Sequence, residues 1–394
     1  MISEQYKAML SNKSVIRELS EYATARGKEI GYENVFDYSL GNPSVAVPKA
    51  YNDALIDLIQ NGDPMQVHGY SPSLGIPAVR EAVAQSLNRR FGMDYKGADI
   101  FMTSGAAGAL AHAFRLVTAP GDEILTFAPF FPEYNPYVNL TGAKLRVVPA
   151  NFADFQINFD AFEQMLTEKV HAVLINTPNN PSGIAYTAKT LETLAAILTE
   201  KEKQFGHEIW LISDEPYREI VFAGSEIPYV SRFYPRTLSC YSFSKSLSLP
   251  GDRIGYVAVN PASGVSSMLA TMCGQISRGI GHNCPTALMQ LATARCLDMT
   301  ADLSVYEKNM SLLYNELTAL GFDIVRPGGT FYMFPKALEA DSVAFSKKAM
   351  AHDLILVPGD SFGAPGYFRI AYCVDTQKVE RSLEAFRRFV KAEY

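Results

Sequence analysis

The stretch 171–183, HAVLINTPNNPSG, is a near-continuous apolar run that stops in a loop of Asn, Pro, Ser and Gly. It reads as a buried strand, HAVLIN (171–176), delivering polar residues from its carboxyl end. A helical pattern follows, TLETLAAILTEKEKQF (190–205), and then a second strand, EIWLIS (208–213). Working outward, the same alternation runs from about residue 95 to 260. Further strands are expected at DIFMT (99–103), EILTF (123–127), KLRVV (144–148), LSCYSF (238–243) and GYVAV (255–259), with a helix over GALAHAFRLV (108–117). Apolar strands alternating with helices predict an α/β fold with a mostly parallel sheet flanked by helices.

Beyond residue 260 the pattern changes. A long helix is expected from about Thr286 to Leu320, ended by Gly321. FDIVRPGGTFYMF (322–334) and YFRIAYCV (367–374) then alternate with helical DSVAFSKKAMAHD (341–353) and TQKVERSLEAFRRFVKA (376–392). This is a smaller α+β layer. The expected division is a large domain over 48–283 and a small one over 1–47 and 284–394, with the N-terminal helix packed on the latter.

Composition excludes several classes. The 394 residues are 48% hydrophobic and 19% charged, as in globular proteins, and the net charge of −6 gives no basic footprint for nucleic acid. No run approaches the ~18 apolar residues of a membrane span. The N-terminal stretch is charged throughout, without the apolar core of a secretory signal. Five cysteines, odd in number and without a Cys-x-x-Cys pair, read as reduced thiols; a cytoplasmic protein is expected. The six histidines have no metal-ligand spacing, so no metal is expected. His112 reads as a packed helix residue, and His68 is only a weak candidate for the site.

In open parallel sheets, ligands bind at the carboxyl ends of the strands. There the sequence collects SGAAGAL after DIFMT, TPNNPSG after HAVLIN, DEPY after EIWLIS and SK after LSCYSF. Small residues at Gly105, Ala106 and Ala107 suit either a packing turn or backbone N–H groups facing a phosphate at a helix N-terminus. Asn180 suits an Asx turn or a donor, and Asp214 a cap or a site carboxylate. Lys245 suits a surface charge or a buried nucleophile, with Arg253 to lower its pKa or to bind phosphate. Converging with Tyr217 and Ser242, they match pyridoxal phosphate, which needs an amine, a carboxylate for its ring nitrogen and anion donors.

On these motifs the chain resembles the aspartate aminotransferase superfamily, class I/II aminotransferases of fold type I, along nearly its whole length. SFSKSLSLPGDRIGY is similar to the family's lysine motif, which implies that Lys245 is the Schiff-base lysine with Ser242 and Arg253 on the cofactor phosphate. NNPSG and DEPY imply Asn180 and Tyr217 as donors to the ring hydroxyl and Asp214 as partner of the ring nitrogen. TSGAAGAL implies the phosphate turn, and APFFPEY implies Phe131 stacked on the ring. YFRIAY and LGNPS imply Arg369 and Gly41 at the substrate α-carboxylate, which Asn180 also approaches. GYSPSLGIPAVREAV implies Tyr70 on the phosphate of a neighbouring subunit, hence a homodimer. Departures occur at Leu247, where an aromatic is common, at Ser248, where glycine is common, at Ser104, where asparagine often stands, and at the acidic Asp252.

The implied activity is ping-pong transfer of an α-amino group between an L-amino acid and a 2-oxo acid, with aspartate and 2-oxoglutarate expected first. Aromatic amino acids or alanine, a cysteine-sulfur β-lyase, and a catalytically silent dimeric binding protein are the alternatives.

Overall fold

The computed structural model describes Ile2, Glu4–Ser11 and residues 14–394. After a short strand β1 (Phe36–Asp37), the chain forms a seven-stranded sheet from β2 (Ile100–Thr103), β3 (Glu123–Phe127), β4 (Lys144–Val148), β5 (Val170–Asn176), β6 (Trp210–Asp214), β7 (Thr237–Ser242) and β8 (Gly255–Val259). Their order is β2-β8-β7-β6-β5-β3-β4. All are parallel except β8, which runs against both its neighbours. The apolar runs become strands because both faces are covered. One face packs with helix Gly105–Val117 through Ala109, Leu110 and Phe114. The other packs with helix Ala188–Phe205 through Leu191, Leu194 and Leu198.

The remaining strands are β9 (Tyr332–Met333), β10 (Leu354–Ile355), β11 (Val357–Pro358) and β12 (Phe368–Ala371). They form an antiparallel sheet β11-β12-β9 and a parallel pair β1-β10. Helices Ser304–Ala319 and Thr376–Glu393 share a core with them, centred on Phe331, Phe345, Phe368 and Phe386. The helix Val15–Ile30 buries Leu19 and Ala23 against Ile355, Val357 and Phe362.

The long helix expected over 286–320 is two helices, Ala287–Ala294 and Ser304–Ala319. The residues between have partners that a continuous helix would deny them. Asp298 binds Ser86 and Arg89, the Ala301 N–H donates to the Ser246 carbonyl, and Asp302 caps the second helix at Ser304. Helix Ala287–Ala294 packs with Tyr51, Leu58 and Tyr256 on the large-sheet side. At the departure site Ser248, the backbone has φ 56°, the left-handed region where glycine is the easier residue.

Candidate active site

The strand register assembles the site. Asn176 and Asp214 are paired at the ends of β5 and β6. Because β8 is antiparallel, its beginning lies at the carboxyl edge of the others: Gly255 pairs with both Thr103 and Ser242. Arg253, two residues before Gly255, therefore meets the turn two residues after Thr103. Its guanidinium donates to the Ser104 carbonyl at 3.2 Å and to the Pro250 carbonyl at 2.9 Å. Gly105 has φ 74°, the left-handed region that favours glycine, and a Cβ there would lie 2.7 Å from Arg253 Nη2, so the guanidinium would have to shift.

The cleft above this edge encloses about 410 Å³ and is lined by Gly41, Ala106, Ala107, Phe131, Asn180, Asp214, Tyr217, Ser242, Lys245, Arg253 and Arg369 among others. Of the sequence candidates, Gly105 sits at the adjoining turn. Tyr70 lies apart from the cleft, its side chain fully exposed. His68 is also exposed and away from it, while His112 is buried, its Nδ1 2.7 Å from the Gly108 carbonyl.

Lys245 is partly buried, its Nζ donating to the Gly41 carbonyl at 2.7 Å and lying 5.4 Å from the centre of the Phe331 ring. Burial pulls its pKa down to about 8; the Cys373 thiol opposes the shift, and the positive charges of Arg253 and Arg369 add to it. The neutral amine is thus the majority form above about pH 8. In the cofactor-free protein, reductive methylation of Lys245 should rise through about pH 8, well below exposed lysines, as read by peptide mass spectrometry. A midpoint matching that of exposed lysines would refute the buried amine.

Asp214 is buried at the end of β6. Its Oδ2 accepts from the Tyr134 hydroxyl at 2.5 Å, and Asn176 Nδ2 donates to its carbonyl at 2.8 Å. Its Oδ1 is buried with no partner. Burial raises its pKa to about 7; the Tyr134 hydrogen bond opposes this and the charge of Glu215 adds to it. An unpartnered carboxylate oxygen facing a cleft is a receptor for a protonated ring nitrogen.

Arg369 is buried, and no carboxylate lies within ion-pair reach among the described residues. Its Nη1 donates to Asn180 Oδ1 at 3.0 Å, Nη2 donates to the Ser39 carbonyl, and Nε has no acceptor. Its guanidinium lies 4.7 Å from the centre of the Tyr332 ring. Tyr332 touches Tyr217 hydroxyl to hydroxyl at 3.2 Å, and a Cβ on Gly41 would lie 1.8 Å from the Tyr332 oxygen. Phe131 stands edge-on to Tyr134, ring centres 5.6 Å apart.

Tyr134, Asn176, Ser244 and Tyr332 belong to the site but were not singled out in the sequence. Ser244 donates its backbone N–H to Ser242 Oγ at 3.1 Å and lies 3.5 Å from Arg253 Nη1. Asn176 had a usable signal, being the last residue of a strand that ends beside Asp214. Tyr134 and Tyr332 had none, since only folding brings them to Asp214 and Arg369.

The donor set fits pyridoxal phosphate. Lys245 can supply the amine and the orphaned Asp214 Oδ1 can receive the ring nitrogen. The first N–H groups of helix Gly105–Val117, unpaired within the helix, can receive the phosphate together with Ser242 and Arg253. An α/β sheet carrying these groups at its carboxyl edge defines a pyridoxal-phosphate-dependent transferase of fold type I.

The chain belongs to the aminotransferase class I and II family, whose sequence pattern matches residues 33–386, and members of that family use pyridoxal phosphate. It is similar along 100% of its length to a crystal structure of an aminotransferase from Eubacterium rectale, at 42% identity, TM-score 0.96 and 99% of that chain. It is 29% identical to the aspartate aminotransferase of Bacillus sp. strain YM-2, over 98% of this chain and 100% of that protein. It is also 29% identical to aromatic-amino-acid aminotransferase 2 of Thermococcus litoralis, over 96% of each. No helix among the described residues is long and apolar enough to cross a membrane, and no group of three or more His, Cys, Asp or Glu there could hold a metal ion.

Proposed function

We propose that this aminotransferase exchanges the α-amino group of L-aspartate with 2-oxoglutarate. One observation carries the amino-acid reading: Arg369, a buried guanidinium without a carboxylate partner, opens onto the same cleft as the Lys245 amine. Burial works against its charge, and a substrate α-carboxylate supplies the missing anion. Aspartate ranks first because several relatives of similar identity carry that name, including those of Bacillus sp. strain YM-2 and Geobacillus stearothermophilus.

Bound in the cleft, pyridoxal phosphate supplies an electron sink for the negative charge that develops on the substrate α-carbon. Lys245 would be the base that takes the proton from the substrate α-carbon, acting in its neutral form, the majority form above about pH 8. Asp214 holds a proton at the ring nitrogen through its free Oδ1. Asn180 and Tyr217 would donate to the cofactor's hydroxyl, and Phe131 would pack against the cofactor. Gly105, Ala106, Ala107, Ser242 and Arg253 hold the phosphate. Arg369, helped by Gly41 and Asn180, would bind the substrate α-carboxylate and orient it toward Lys245.

The same reading takes the molecule as a cytoplasmic homodimer, with Tyr70 of the partner subunit completing each phosphate site. The exposure of Tyr70, with Met65 of the preceding helix also exposed, supports it. The division into domains over 48–283 and over 1–47 with 284–394 belongs to the same reading.

Arg369→Ala should raise KM for every amino-acid substrate about 100-fold, measured as single half-reactions with a panel of amino acids. An unchanged KM profile would assign the carboxylate to another clamp. In the same panel, release of pyruvate and ammonia from a β-substituted amino acid would move the site to elimination chemistry. A fastest reaction with phenylalanine or alanine would displace aspartate.

A further inference from the structure

Behind the Asp214–Tyr217 turn, on the side away from the cleft, lies a second charged cluster that the reaction does not use. Glu215 and Arg218 are both buried, with Arg218 Nη1 2.8 Å from Glu215 Oε2. Arg218 Nε is 3.3 Å from Glu219 Oε1, and its Nη2 donates to the Tyr256 hydroxyl at 3.0 Å. Its guanidinium lies 4.2 Å from the centre of the Tyr241 ring. Arg90 pairs with Glu219, so two positive charges offset two negative ones.

The cluster touches both halves of the site. Asp214 and Glu215 are consecutive at a strand end, where side chains point opposite ways. Asp214 enters the cleft while Glu215 is held below by Arg218 and by Ser239 Oγ at 3.1 Å. On the other arm, the Tyr241 hydroxyl donates to Ser246 Oγ at 2.9 Å and lies 3.4 Å from Glu219 Oε1. Ser246 directly follows Lys245 in the short helix Phe243–Ser246.

We infer that Arg218 and Tyr241 are positioning residues that fix the Asp214 carboxylate relative to the Lys245 amine. Buried ion pairs contribute little net stability, because desolvation offsets their attraction, but removing one partner leaves a buried charge unpaired. Here the pairs lock the rotation of the strand end on one arm and the lysine turn on the other. Arg218 also has an electrostatic share. Glu215 already pushes the Asp214 pKa up, and without Arg218 that carboxylate is uncompensated, which drives Asp214 further toward its protonated form, unable to keep a proton on a ring nitrogen.

The inference rests on the roles proposed for Lys245 and Asp214, and its test separates the two. In the holoenzyme, Tyr241→Phe removes one hydroxyl and keeps the ring under Arg218. It should lower kcat about tenfold, leave KM for the amino acid within about twofold, and move the pH midpoint of the bound cofactor's absorbance. Arg218→Lys should recover part of the kcat and of the midpoint lost in Arg218→Met. If Arg218→Met does not fold, Tyr241→Phe decides alone. A Tyr241→Phe enzyme with parental kcat and midpoint overturns the positioning role, as does a loss of melting temperature without any change in midpoint. Full turnover in Lys245→Ala would instead overturn the underlying assignment.

Discussion

With Lys245→Ala, turnover falls at least ~10⁴-fold, while the chain still folds and still binds pyridoxal phosphate. The size of the effect follows from the lack of a substitute base. The phenols of Tyr217 and Tyr332 are driven up by burial, Tyr332 to about 12, so neither accepts a proton near neutral pH. Asp214 accepts from Tyr134 and, in its proposed role, holds the ring nitrogen. Folding survives because the substitution removes a single hydrogen bond, to the Gly41 carbonyl, and a charge that burial already disfavours. Stopped-flow mixing with L-aspartate, followed by the absorbance of the bound cofactor, measures the loss; a rate within tenfold of the parent would remove Lys245 from the chemistry.

Asp214→Asn is expected to separate stability from activity. The Asp214 carboxyl is raised from 3.8 to about 7, so the folded chain binds more protons than the unfolded chain between those values. Stability contributed by this group therefore declines as pH rises through that window, and above about pH 7 the buried anion carries its whole cost. The difference amounts to at most about 4 kcal/mol. Asparagine keeps an acceptor for the Tyr134 hydroxyl and removes the charge. The cofactor-free variant should melt higher than the parent at about pH 8, with the gain vanishing near pH 4. Its turnover should fall by on the order of 10³-fold, since an amide cannot hold a proton on a ring nitrogen. A variant that melts lower than its parent at both pH values would contradict the buried-anion account; near-parental turnover would contradict the role of Asp214.

Those two side chains were legible because Asp214 ends a strand and Lys245 lies in the turn of helix that directly follows one. An apolar run such as 171–176 announces its own burial, and the change to polar residues marks where the chain leaves the sheet. Convergence of four such ends required only the parallel arrangement. The return of Arg253 needed more. It follows from β8 running antiparallel, which the apolar pattern GYVAV does not encode, since periodicity carries no direction. Tyr134 and Tyr332 were invisible for a related reason: their partners are 80 and 37 residues away, in other elements. The break at 295–303 was missed because its causes, Ser86 and Ser246, lie outside the helical window. Tyr70 is expected from its motif to serve a second copy, and in the single chain its side chain is exposed.

The contact between Gly41 and Tyr332 constrains how this cleft could diverge. Any side chain at position 41 must occupy space that the Tyr332 hydroxyl already holds. A side chain at position 41 therefore forces Tyr332 to move, and with it the contacts Tyr332 makes to Tyr217 and Arg369, so a substitution there reaches both through one ring.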